Sequence, residues 1–221
     1  QHHKLHGFRI KFPSMIDAQL RPYINPPLAS IAALLEKTSI TANQVTVGGF
    51  MLGLTAIPAL AFQQYNLAIA IIALNRFSDG LDGAIARLHG ITDVGGYLDI
   101  VLDFVFYSAV IFGFCLALPD QAVYGAFLIF SFIGTGSSFL ALSVFAAKRN
   151  LNTDIHSAKS IYYLGGLTEG FETICTFLLM CAFPDWFWLM ASIFGFLCWV
   201  TTVTRILTSY SLLLAEDEQQ T

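Results

Sequence analysis

Four aspartates, Asp79, Asp82, Asp99 and Asp103, stand inside two otherwise apolar stretches, with Arg76 and Arg87 beside them. A carboxylate within an apolar span costs about 2.5–3.5 kcal/mol on insertion scales, so its presence is first of all a statement about function. Asp79 and Asp82 are three residues apart and Asp99 and Asp103 four apart, which on helices puts each pair on one face. The turn at 89–92 joins the two stretches, and counting outward from it the pairs lie level. At 1.5 Å per residue, Asp82 and Asp99 sit about 9 Å below the turn and Asp79 and Asp103 about 14 Å. An antiparallel hairpin thus gathers four anions, and close anions need cations. Arg76 and Arg87 offer part of the neutralisation, while all-oxygen ligation suits hard divalent ions, Mg²⁺ or Mn²⁺. Two such ions about 3.5–4 Å apart form a clamp suited to phosphoryl displacement.

The elements that must position this cluster follow from composition. The chain has 221 residues, 56 % hydrophobic and 12 % charged. About 25 % charged is usual for a soluble domain, so this composition excludes an ordinary cytosolic domain or a disordered chain. A net charge of −4 with scattered basic residues argues against nucleic acid. Six stretches have the length and character of membrane helices, at 45–62, 67–88, 94–118, 123–147, 162–183 and 186–207. Short turns at 63–66, 119–121 and 184–185 carry no basic residue, whereas Lys148, Arg149 and Lys159 stand between the fourth and fifth spans. The positive-inside rule then predicts both termini in the cytoplasm and an active site facing it. The expected organisation is an N-terminal cytoplasmic segment (1–43), an all-α domain of six transmembrane helices (44–210) and a cytoplasmic tail (211–221). Prolines at 13, 22, 26 and 27 interrupt the first forty residues, where no cleavable signal is legible. Residues 27–37 read either as an amphipathic helix lying at the interface or as a connecting helix packed on the bundle.

Other polar features have weaker signatures. Gly80, Gly83, Ala84, Ala86, Gly95 and Gly96 either pack helices closely or leave room for a bulky charged ligand. Glu169 and Glu172 share a face with Thr168 and Thr176, where burial without partners would be costly; acceptor hydroxyls, an amine or Arg76 are the candidate partners. Cys115, Cys175, Cys181 and Cys198 lie in apolar runs without metal or redox spacing. His2, His3 and His6 read as a tail rather than a metal site, and His156 as a loop residue.

The run Asp79-Gly80-Leu81-Asp82-Gly83-Ala84-Ile85-Ala86-Arg87, followed by Gly95, Asp99 and Asp103 at four-residue steps, resembles the signature of the CDP-alcohol phosphotransferase family. The family's usual spacing has eight residues between the arginine and the next glycine; here there are seven, the shortfall falling in the turn. Residues 41–46 are similar to the segment opening the family's first span, and 134–139 and 162–170 resemble small bacterial inner-membrane members. The resemblance implies a metal-dependent transfer of a phosphatidyl group from a CDP-linked lipid, typically CDP-diacylglycerol, to an alcohol, with release of CMP. It implies Asp79, Asp82 and Asp99 as metal ligands, and Asp103 as ligand or general base. Asp82, Gly83, Ala86 and Arg87 would hold the cytidine nucleotide, aided by Asn43 and Thr46. Lys159 and Arg205 would meet an acceptor phosphate, with glycerol 3-phosphate favoured over inositol, serine or another alcohol; alternatively they anchor topology. A homodimer in the bacterial inner membrane is also expected. Membrane prenyltransferases separate their acidic motifs by far more than the sixteen residues between Asp82 and Asp99. A divalent-cation transporter would need a pathway to the far side, yet the cluster lies in one half of the membrane.

Overall fold

The computed structural model describes residues 16–35, 38, 40–148 and 170–220. Eight α-helices occupy them: α1 (Ile16–Leu35), α2 (Ala42–Leu54), α3 (Ala56–Ala61), α4 (Tyr65–His89), α5 (Asp93–Ala117), α6 (Ala122–Lys148), α7 (Gly170–Ala182) and α8 (Phe187–Gln220). Among the described residues, four segments are long and apolar enough to cross a membrane: Ala42–Ala61, Asp93–Ala117, Pro119–Lys148 and Pro184–Ala215. Helix α4 has 25 residues, but Arg76, Asp79, Asp82 and Arg87 interrupt its apolar character. The expected fifth span is described only over its 13-residue part α7.

Helix boundaries follow local chemistry. Thr41 opens α2 with a capping box: its hydroxyl accepts from the Gln44 N–H at 3.3 Å and the Gln44 side chain accepts from the Thr41 N–H at 3.0 Å. The expected first span breaks at Thr55 into α2 and α3. Pro58 has no N–H to donate to Leu54 and its ring crowds that carbonyl, so the ladder shifts to a tighter turn, with Thr55 N–H donating to Leu52 O at 3.0 Å. Helix α4 ends at Gly90, whose φ of 101° is open to glycine at little cost. Two residues later the Thr92 hydroxyl accepts the Gly95 N–H at 3.1 Å and starts α5. The hairpin that carries the aspartates is therefore closed by its own turn residues.

The three short turns converge at the opposite end. The Gln63 amide donates to Ala117 O at 3.2 Å, and Gln121 Oε1 accepts the Trp188 N–H at 2.9 Å. Single 3₁₀ turns at Pro119–Gln121 and Pro184–Trp186 make the reversals. Between the ends runs a core of Phe106, Phe114, Phe132, Phe177, Phe187, Leu60, Ile72 and Met180. Phe114 stacks on Phe187 at 5.0 Å and Phe132 meets Phe194 edge-on at 6.4 Å, arrangements favoured by the ring quadrupoles.

One expectation changes. Helix α1 starts at Ile16 and runs through Pro22, Pro26 and Pro27, which had read as interruptions. Leu28 and Ala32 on its buried face pack against Leu81, Ala84 and Ile85 of α4, and this contact offsets the missing proline donors. At the other end, α8 runs on as helix to Gln220. Its 34 residues span about 51 Å, well beyond a hydrocarbon core of about 30 Å.

Close approach of α2, α4 and α5 depends on small residues. A Cβ on Gly53 would lie 2.8 Å from the Asn75 amide nitrogen and 2.9 Å from the Phe106 ring, both buried, whereas one on Gly48 would meet nothing within 4 Å. Gly53→Ala is therefore expected to lower stability by about 1–3 kcal/mol through overpacking, and Gly48→Ala to leave it unchanged. Thermal unfolding of the two variants in detergent measures the difference.

Candidate functional site

The capped α4–α5 hairpin places all four aspartates on one narrow pocket, lined also by Thr46, Gly49 and Phe50 of α2 and by Asn75, Arg76, Leu102 and Phe106. Carboxylate oxygens of Asp79, Asp82 and Asp99 lie within 4.8 Å of one another. Asp82 is buried, and its Oδ2 has no hydrogen-bond partner. A buried anionic oxygen left bare is costly, so three converging carboxylates with such an atom fit a hard cation. Asp79 and Asp82 come from adjacent turns of α4, and Asp99 faces them across the hairpin from the exposed start of α5.

Asp103 is placed differently. Arg76 forks onto it, Nη2 to Oδ1 at 2.7 Å and Nη1 to Oδ2 at 3.2 Å, and the Tyr107 hydroxyl donates to Oδ2 at 3.0 Å. The same guanidinium donates to Asn75 Oδ1 from Nε at 2.9 Å and from Nη2 at 2.6 Å, and lies 3.7 Å from Asp79. Asn75 in turn donates to Gly49 O on α2 at 2.9 Å. The Phe106 and Tyr107 rings hold the cation at 4.9 and 5.4 Å. Asn75 and Tyr107 escaped the reading of the sequence. Tyr107 lies four residues after Asp103 on the same helical face, so that spacing was the available signal.

The proposed nucleotide residues gather near the hairpin turn. The Arg87 guanidinium reaches over Gly83, its Nη1 3.4 Å from where a Cβ would stand. Asn43 Oδ1 lies 3.2 Å from the corresponding point on Gly95, which brings the start of α2 to the start of α5. Ala86 is half-buried beside them, and Thr46 reaches the carboxylate pocket one turn further along α2. The small residues divide their roles. Gly80 packs on Leu28 of α1 and Ala84 lies in the same contact, so these two serve helix packing, while Gly96 faces open space.

Arg205 does not line the carboxylate pocket. It is buried on α8 and donates to Thr135 O at 2.9 Å and to the Ser138 hydroxyl at 3.3 Å on α6, 5.8 Å from the Phe139 ring centre. Glu172 opens α7 two residues after Gly170, where a Cβ would lie 3.3 Å from the Tyr107 hydroxyl. Lys159 and Glu169, like Arg149 and His156, lie outside the described residues, as do the N-terminal histidines. The four cysteines are free thiols, buried or half-buried. Arg205→Met is expected to lower stability by about 1.5–3 kcal/mol, because it removes a charge-assisted hydrogen bond holding α8 to α6. Thermal unfolding in detergent reads that loss.

Comparison with known proteins identifies the family. The family model for CDP-alcohol phosphatidyltransferase matches residues 39–207. The chain is 51 % identical over 206 residues to the inner membrane protein YnjF of Escherichia coli, covering 93 % of this chain and all of that protein. It is 37 % identical over 100 residues to the archaetidylinositol phosphate synthase of Pyrococcus horikoshii, covering 45 % of this chain and 53 % of that enzyme. The fold resembles the crystal structure of Mycobacterium tuberculosis phosphatidylinositol phosphate synthase with CDP-DAG bound, with a TM-score of 0.67 at 18 % identity over 83 % of this chain and 93 % of that one. The same enzyme in complex with manganese and citrate matches with a TM-score of 0.67, again at 18 % identity, over 83 % of this chain and 88 % of that one. The chain belongs to the CDP-alcohol phosphatidyltransferase family, phosphotransferases of phospholipid biosynthesis.

Proposed function

We propose that the protein transfers a phosphatidyl group from CDP-diacylglycerol to the hydroxyl of a small phosphorylated alcohol, releasing CMP. The observation that carries this reading is the convergence of Asp79, Asp82 and Asp99, with one oxygen of Asp82 left bare, next to a fourth carboxylate held separately. Asp79, Asp82 and Asp99 would hold Mg²⁺ or Mn²⁺, and a second ion would draw also on Asp103. Bound there, two divalent ions supply positive charge to the pyrophosphate and to the phosphoryl oxygens on which charge develops. Asp82, Gly83, Ala86, Arg87, Asn43 and Thr46 hold the cytidine nucleotide at the mouth of the hairpin. Asp103 accepts the proton of the acceptor hydroxyl as its oxygen forms a bond to the lipid-side phosphorus. The bond from that phosphorus to the bridging oxygen breaks, and the pair of electrons leaves with CMP.

Lys159 and Arg205, with Glu169 and Glu172, would recognise the acceptor. Glycerol 3-phosphate is the favoured acceptor. An inositol phosphate is the second reading, favoured by the names of the archaeal relative and the mycobacterial structure. Six spans with both termini in the cytoplasm, α1 at the interface and a homodimer in the bacterial inner membrane complete the proposal. The cytoplasmic depth lets a charged nucleotide enter from water while the acyl chains remain in lipid.

CMP release by the purified protein, measured with CDP-diacylglycerol and Mn²⁺ across a panel of alcohols, tests the reaction. Turnover is expected with glycerol 3-phosphate or inositol phosphate, and not with serine or unphosphorylated inositol. Turnover restricted to an unphosphorylated alcohol would remove the acceptor assignment, and none with any acceptor the reaction itself. A separate expectation concerns the base. Asp103→Asn keeps the volume and loses the proton acceptor, so kcat should fall about 10²- to 10⁴-fold. EDTA should abolish turnover in the parent, and Asp82→Asn should abolish it in the presence of metal.

A further inference from the structure

The reaction above makes no use of Arg76, yet no side chain in the pocket is more firmly held. Two oxygens of Asp103, the side-chain Oδ1 of Asn75 and the Tyr107 hydroxyl take its donors at 2.6–3.3 Å, and two aromatic rings pack on its guanidinium. Its side chain is only 17 % exposed, and Asn75 ties it through Gly49 O to a third helix. A planar fork so fixed is a permanent charge at a defined place, unlike an ion, which comes and goes.

We infer that Arg76 is a resident counter-cation and positioning residue, which keeps Asp103 out of the Asp79–Asp82–Asp99 set and leaves the substrate-free enzyme with one divalent ion instead of two. The inference rests on the metal-dependent reading above. Formal charge supports it. Four carboxylates and Arg76 together carry three negative charges, which one divalent ion reduces to a single negative charge. A second ion would leave a net positive charge inside an apolar bundle, and so binds well only alongside the negative pyrophosphate of the CDP-lipid. Without Arg76, four carboxylates balance two ions, and Asp103 is free to turn to them. Unit charges a few ångström apart in a partly buried site interact strongly, so one fixed guanidinium is enough to decide between these states.

The test is Mn²⁺ titration of the full chain in detergent without nucleotide, following the EPR signal of the free ion. The parent should bind one Mn²⁺ per chain. Arg76→Gln should bind two, or tighten the second at least tenfold, while its kcat falls at least tenfold and its KM for CDP-diacylglycerol changes less. A purely structural role would move metal uptake and turnover down together. Arg76→Lys keeps the charge without the fork, so it should retain the one-ion stoichiometry with a partly restored kcat. An Arg76→Gln isotherm that overlays the parent's, or one that loses the first ion, would overturn the role of Arg76. If the Gln variant does not fold, two ions on Arg76→Lys would overturn it equally. No Mn²⁺ on the parent would instead sink the metal-dependent reading, a result distinct from failure of Arg76 alone.

Discussion

Placing four carboxylates within a bundle of apolar helices creates an electrostatic debt that the rest of the molecule is arranged to meet. The ion pair between Arg76 and Asp103 meets part of it, bidentate and at 2.7 Å on its shorter arm. A pair taken out of water is favourable only if its geometry is good and the remaining donors are satisfied. Both conditions are met here by neighbours: Asn75 and Tyr107 take the spare donors, and Phe106 and Tyr107 cover the cation's faces. The consequence is architectural. Gly49 on α2, Asn75 and Arg76 on α4, and Asp103 and Tyr107 on α5 become one hydrogen-bonded chain, and the start of α7 packs on its end at Tyr107.

That chain exists only because the helices approach closely. Lipid tails are as apolar as leucine, so helices in a bilayer associate through van der Waals fit and polar contacts rather than through expulsion of water. Gly49 and Gly53 let α2 settle onto Ser78, Asn75 and Phe106, which puts the Gly49 carbonyl within reach of the Asn75 amide. Gly80 does the same for α1 through Leu28. Small residues beside a charged cluster thus serve two ends of one design: some bring helices together, and others, such as Gly83 under Arg87 and Gly96 facing open space, leave the mouth of the hairpin clear.

The carboxylates themselves divide along the same line. Asp79, Asp82 and Asp99 converge on one another and carry the bare oxygen, whereas Asp103 is already engaged by two side chains. The proposed reaction asks for two such environments, one in which carboxylates would hold a cation and one in which a carboxylate would take a proton. All four carboxylates stand on a single short hairpin.

Much of this was legible in the amino-acid sequence by itself. Helical rise and a four-residue turn are enough to bring Asp79, Asp82, Asp99 and Asp103 level, and Gly90 and Thr92 mark that turn through purely local chemistry. The short turns at 63–66, 119–121 and 184–185 were equally plain, since proline and polar residues punctuate long apolar runs. What the sequence did not determine is which faces meet. In a soluble helix, hydrophobic periodicity reveals the buried side; here the lipid-facing and core-facing sides are both apolar, so the pattern carries little of that information. Whether Arg76 would turn to Asp103 or elsewhere, that Asn75 and Tyr107 would complete the pair, that Gly80 would serve α1, and that Arg205 would bind the Thr135 carbonyl were all decided by tertiary packing. Each depends on contact between helices distant in the chain, where steric fit selects among faces that look alike in sequence.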